Sequence, residues 1–139
     1  MEKEKLESYR SKKAEIRELK YSLSQLGKGD SMVGNDVIND YRSGYPIPQA
    51  VVGVDWQKVE QTEQRYKNRI KKLEEECHQV EEFIESIPDS LTRRIFRMKF
   101  MEGKTQQHIS MKVHMDRSRV SRKIDEFLKK AQKAQKAHL

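Results

Sequence analysis

Between Trp56 and Ile87 the chain returns to one face in alternating steps of three and four residues. The positions hold Trp56, Val59, Glu63, Tyr66, Ile70, Leu73, Cys77, Val80, Ile84 and Ile87. Nine of these ten are apolar or thiol, which is heptad spacing and predicts one long amphipathic helix. The intervening positions are rich in charge, including Glu74-Glu75-Glu76, as a solvated face is. Glu63 is the exception in the seam; it either fixes register or marks a solvated break in the packing. Upstream, Tyr9, Ile16, Leu19, Leu23 and Leu26 recur at helical spacing with Leu6 close to the same face, predicting a helix over about residues 3–26. A single helix cannot bury its own stripe. The seam needs the first helix folded back on it as an antiparallel hairpin, a second copy of the chain, or both.

Five of the six glycines and two of the three prolines fall between residues 27 and 53, separating the two periodic stretches by a long linker at 27–54. Connections of that length are uncommon unless they bind something or stay disordered. The linker also carries Val37, Ile38, Tyr41, Val51 and Val52. Partial docking and disorder therefore both remain open.

Beyond Pro88 the period shortens into three helical stretches. Pro88 and Asp89 suit a helix start, and Leu91, Ile95, Phe96, Met98 and Phe100 give a wide apolar face that ends before Gly103. Thr105 is an N-cap for a second helix with Ile109 and Val113 inward. After His114-Met115, Asp116 caps a third helix with Val120, Ile124, Phe127 and Leu128 inward. Two short helices joined by a tight turn, the second rich in arginine, describe a helix-turn-helix. The expected fold is all-α: a helical hairpin or coiled-coil region over 1–87, then a small helix-turn-helix domain over 88–139 with a basic tail. In that tail the Lys-Ala-Gln repeat extends the last helix, its lysines gripping phosphate or simply matching the helix C-terminus.

Charge sharpens this picture. Residues 1–88 carry 15 Lys/Arg and 17 Asp/Glu, whereas residues 89–139 carry 14 and 5, so the overall +7 comes entirely from the last segment. With 35% apolar and 37% charged residues, thin helical layers suit the chain better than a broad buried sheet. No apolar stretch approaches the roughly 20 residues of a membrane span, and Met1-Glu2-Lys3-Glu4-Lys5 lacks the apolar core of a secretion signal, so a cytoplasmic location is expected. Cys77 alone can form no intrachain disulfide, and as a small apolar seam residue it needs no reactive role. His78, His108 and His114 have no metal-ligand spacing with it. There is no phosphate-binding glycine loop and no nucleophile elbow, so neither an enzyme nor a cofactor is expected.

The residues Ile87-Pro88-Asp89, Ile95 through Thr105, Ile109-Ser110, Val113 and Met115 through Val120 resemble region 4 of sigma-70-type factors over about residues 82–130. With a helical N-terminal half, the chain looks like the phage and prophage regulators of late transcription of the ArpU and RinA type. Ser110 stands where alanine is usual in that pattern and His114 where glycine makes the turn. Serine is small enough for close helix packing, and histidine tolerates positive φ better than most residues. The resemblance implies a transcription regulator with RNA polymerase as a partner.

The charge geometry leads to double-stranded DNA independently. With Val120, Ile124, Phe127 and Leu128 inward, Arg117, Ser118, Ser121 and Arg122 face out as groove contacts, since arginine can pair bidentately with guanine. Arg119, Lys123, Lys104, Thr105 and Gln106 are assigned to the phosphate backbone. The seam exceeds what the first helix can cover, so Ile70, Leu73, Cys77 and Val80 are expected to join two chains in a homodimer. Two competing readings are a DNA-packaging protein of small-terminase type or other architectural DNA binder, and a coiled-coil interaction adaptor whose basic surface is incidental.

Overall fold

The computed structural model describes residues 1–27 and 55–137. The expected linker at 27–54 thus lies, apart from Gly27, outside the described residues. Those residues are all-helical, as the periodicity requires: α1 Lys3–Glu7, α2 Tyr9–Gln25, α3 Trp56–Glu85, α4 Ser90–Phe96 continuing into a π-helical turn Arg97–Met101, α5 Gln106–Val113 and α6 Arg117–Ala137. The single N-terminal helix expected over 3–26 is interrupted at Ser8, whose hydroxyl donates to the Lys5 carbonyl at 2.9 Å. Among the described residues no helix is long and apolar enough to cross a membrane.

Two compact units emerge, and their boundary differs from a cut at Pro88. One comprises Glu15–Leu73; the other joins Met1–Ala14 to Glu74–Leu139. The basic C-terminal segment therefore folds together with both the chain's beginning and the end of α3.

In the Glu15–Leu73 unit, Ile16, Val59, Thr62, Ile70 and Leu73 are buried. Glu15 pairs with Arg69 at 3.5 Å, and the Trp56 ring lies over Gly27, where an added Cβ would meet it at 3.2 Å. Low numbers of α2 thus meet high numbers of α3, the order of an antiparallel pair. The inward position near the start of the seam is Thr62, not Glu63. Thr62 Oγ1 accepts from Arg65 Nη2 at 3.2 Å, while the Glu63 carboxylate pairs with Lys67 at 2.7 Å, one turn along. A scan for purely apolar residues passes over threonine, whose methyl packs and whose hydroxyl is satisfied locally. Trp56, expected in the seam, is 63% exposed.

In the other unit, Leu6, Tyr9, Cys77, Val80, Ile84 and Ile87 are buried with the C-terminal core. Lys12 pairs with Glu76, and Tyr9 and Lys13 both meet Glu81, so the antiparallel order holds here too. Cys77 Sγ lies 4.0 Å from the Tyr9 carbonyl, and burial pushes its thiol above the ordinary range. That is an inert packing cysteine.

These contacts bear on the residues expected to join two chains. Ile70 and Leu73 in one unit, and Cys77 and Val80 in the other, are each covered within a single chain. Along this stretch α2 lies beside α3, with Glu15 at Arg69, Lys12 at Glu76 and the Tyr9 carbonyl at Cys77. Within the unit containing α4 to α6, the phenylalanines take over at the end of α3. Phe83 lies 6.4 Å from Phe96 and 6.0 Å from Phe127, while Phe96 lies 5.4 Å from both Phe100 and Phe127, ring centre to ring centre. All four phenylalanines of the chain thus share one cluster, each tilted pair contributing about 0.5–1.5 kcal/mol beyond area burial.

Asp89 caps α4: its Oδ2 accepts from the Thr92 hydroxyl at 2.6 Å and the Thr92 N–H at 3.0 Å, and these bonds hold its carboxyl below the usual range. The π-helical turn closes with Glu102 N–H donating to the Arg97 carbonyl and Lys104 N–H to that of Met98. Gly103 then adopts φ +68°, and the Arg10 guanidinium occupies the space a side chain there would need. The positive φ at 103 favours glycine, and a side chain there would also have to displace the end of Arg10.

Candidate nucleic-acid interface

The arginine-rich helix α6 is held by a short turn from α5. Thr105 caps α5 through a 3.1 Å bond from the His108 N–H, and Ile109 anchors the helix with no exposed surface. The helix ends at His114, which adopts φ 56° and ψ 46°, the left-handed conformation. Ser110 ties this turn from both sides. Its carbonyl accepts from the N–H groups of His114 and Met115, and its hydroxyl donates to the Met115 carbonyl. An alanine at 110 would supply the carbonyl but not the hydroxyl strap. The Asp116 carbonyl then accepts from Arg119 and Val120 at 3.0 Å, starting α6.

Packing decides which face of α6 remains available. Val120, Ile124 and Leu128 are buried and Phe127 is half-buried, occupying positions i, i+4, i+7 and i+8. Arg117, Ser118, Arg119 and Arg122 are exposed, and Ser121 and Lys123 are half-buried at the edge of the core. Arg119, Arg122 and Lys123 line one open depression together with Met115 and Glu126. Lys104 and Thr105 are exposed and Gln106 half-buried at the start of α5. The residues assigned to DNA thus form two groups, the first two turns of α6 and the beginning of α5.

The N-terminal residues are the part that sequence reasoning missed. Lys3 lies 3.7 Å from Asp125, and the Met1 ammonium donates to Gln135 Oε1 at 3.0 Å, so both meet α6. Leu6 is fully buried in the same unit, and Arg10 covers Gly103 beside Lys104. One leucine within a charged run produces no periodicity, so the only available signal was Leu6 itself. Among the described residues no group of three or more His, Cys, Asp or Glu side chains could hold a metal ion.

No curated protein and no solved structure matches the chain. A family model does, over residues 9–133, running from the start of α2 through most of α6. The matched pattern therefore takes in both compact units and is wider than the arginine-rich helix with its turn. The chain belongs to the family described as "Protein of unknown function (DUF722)".

Proposed function

We propose that the chain is a sequence-specific DNA-binding transcription regulator whose α5, turn and α6 act as a helix-turn-helix, with α6 entering the major groove. The observation that carries this reading is the outward face of α6. Ser118, Arg119 and Arg122 are exposed on the side of the helix away from Val120, Ile124 and Leu128, and Arg117 is exposed at its first turn, on a helix fixed by a tight left-handed turn. Exposed cations beside hydroxyls on a rigid helix are what base and phosphate recognition require. Arg117, Ser118, Ser121 and Arg122 are the groove contacts; Arg119, Lys123, Lys104, Thr105 and Gln106 are the backbone contacts.

The sigma-70 region 4 resemblance supports the same reading. It suggests RNA polymerase as the protein partner, a phage or prophage setting, and the cytoplasm as the place of action. A homodimer through Ile70, Leu73, Cys77 and Val80 remains part of the proposal only as an assembly that displaces the cover a single chain already gives those side chains. The test is fluorescence anisotropy of the full chain on labelled duplex DNA at a series of salt concentrations. Affinity that falls linearly on a log–log plot, by about 0.9 per neutralised phosphate, is expected; affinity indifferent to salt would sink the proposal.

A further inference from the structure

Residues 89–139 contain five acidic side chains, and two of them have structural duties. Asp89 caps α4 and Asp125 pairs with Lys3. Glu126 differs. It is exposed and lines both depressions on α6, the one with Arg119, Arg122 and Lys123 and a second with Lys129, Lys130 and Lys133.

Helical geometry explains why the two depressions share it. At roughly 100° per residue, all six of these cations fall within roughly 60° of Glu126 around the helix, whereas Val120, Ile124, Phe127 and Leu128 lie roughly 100–160° away. The six cations thus form a single ridge opposite the core, about 21 Å long from Arg119 to Lys133 at 1.5 Å per residue. The tail lysines continue the same surface as the arginines of the first turns. The ridge carries two clusters of cations, Arg119, Arg122 and Lys123 and then Lys129, Lys130 and Lys133, separated by about 9 Å along the axis with Glu126 between them, a charge distribution along one face that suits a linear polyanion. Glu126 is the single negative charge at its middle.

We infer that this ridge extends the DNA contact of α6 along the phosphate backbone beyond the groove residues, and that Glu126 limits the strength of that grip. The inference rests on the DNA-binding reading above. A phosphate chain following the ridge passes a carboxylate midway, and the repulsion weakens binding to every sequence alike, because phosphates carry no base information. The lysines at 129, 130 and 133 supply attraction and Glu126 opposes it, so that sequence-independent binding stays weak beside what the groove contacts add.

The experiment measures binding of the full chain to a labelled random-sequence duplex, by anisotropy, across salt. It compares wild type with Glu126→Gln and with a variant carrying Lys129→Gln, Lys130→Gln and Lys133→Gln. Glu126→Gln should tighten binding roughly three- to tenfold at low salt, and the triple variant should flatten the log–log salt slope by up to about 2.7. All four positions are exposed, so thermal unfolding should stay where it is in the wild type. If wild type binds with normal salt sensitivity but neither variant departs from it, the ridge proposal is overturned while the helix-turn-helix reading stands. If the triple variant instead loses binding only to an acidic protein surface, with DNA affinity intact, the ridge proposal is likewise overturned. If wild type has no salt-sensitive DNA affinity, both readings fall.

Discussion

The Tyr9 hydroxyl donates a 2.8 Å hydrogen bond to Glu81 Oε1 across 72 positions of sequence, and Lys13 reaches the same oxygen at 3.2 Å. Burial by itself would raise the Glu81 carboxyl, but the Tyr9 bond, Lys13 and His78 outweigh it and hold the group below its ordinary value of 4.5. Tyr9 moves the other way: burial first, then its bond to Glu81, pushes the phenol up. A carboxyl depressed in the folded state stabilises the fold above its unfolded value, and that contribution is lost as pH falls through the depressed value. Glu81→Gln should therefore cost about 1 kcal/mol near pH 7, and its difference from wild type should shrink as pH drops below about 4.5. Urea denaturation at a series of pH values from about 7 downward checks this; a difference that does not shrink at all as the carboxyl protonates would assign the effect to packing.

His114 and Gly103 make a contrasting pair of turns. Both have positive φ, but the space beside Gly103 is filled by Arg10. His114→Val should cost about 1–2 kcal/mol, because a β-branched residue is strained in the left-handed region. His114→Gly should be nearly neutral, relief of strain offsetting the freer unfolded chain. Gly103→Ala should destabilise the chain by more than Ser110→Ala, which loses one hydroxyl strap worth about 1 kcal/mol. Thermal denaturation of the four variants ranks them. Equal effects at 103 and 110 would mean that Arg10 simply swings aside.

Most of the helical plan was legible in the chain because burial follows period. The seam positions Val59, Ile70, Leu73, Cys77, Val80, Ile84 and Ile87 are all buried, as are Ile95, Ile109, Val120, Ile124 and Leu128 in the basic segment. What a single strand of text hides is pairing between distant segments. Nothing in the spacing of Leu6, Arg10 or Lys3 says that they join the C-terminal unit, and so the grouping of residues 1–14 with 74–139 could not be read. Threonine at 62 was hidden for a different reason, since its inward role depends on a local bond from Arg65. Ser118, Arg119 and Arg122 were legible as outward because the buried positions of one helix fix the direction of the others, whereas Arg117 is exposed through its place at the helix start.

Leu73 tests the covered seam. Leu73 is 6% exposed in a single chain, so Leu73→Glu places a charge in a packed site and not at an interface. The variant should lose several kcal/mol of stability or fail to fold, whereas Leu73→Ala should cost about 2–5 kcal/mol and leave the oligomeric state unchanged. Light scattering paired with urea denaturation separates the two effects. A wild-type dimer that Leu73→Ala converts into a stable monomer would restore the seam as an interface.

Arg117 and Arg122 are separated from Lys104 by the kind of information their contacts can carry. A guanidinium at the start of α6 can bridge the O6 and N7 atoms of one guanine, which distinguishes that base from the others. On the proposed DNA-binding reading, Lys104 at the start of α5 would meet a phosphate, which every sequence presents. Arg117→Ala or Arg122→Ala should thus cost about 1–3 kcal/mol on the preferred site and relax base preference at one position, with random DNA bound nearly as before. Lys104→Ala should weaken preferred and random DNA by the same factor and reduce the salt slope by about 1. Selection from a randomised duplex pool supplies the preferred site, and parallel titrations on that site and on random DNA supply the ratio. If the arginine variants lower both affinities equally, their side chains contact only phosphate, and base recognition must come from another surface of the protein.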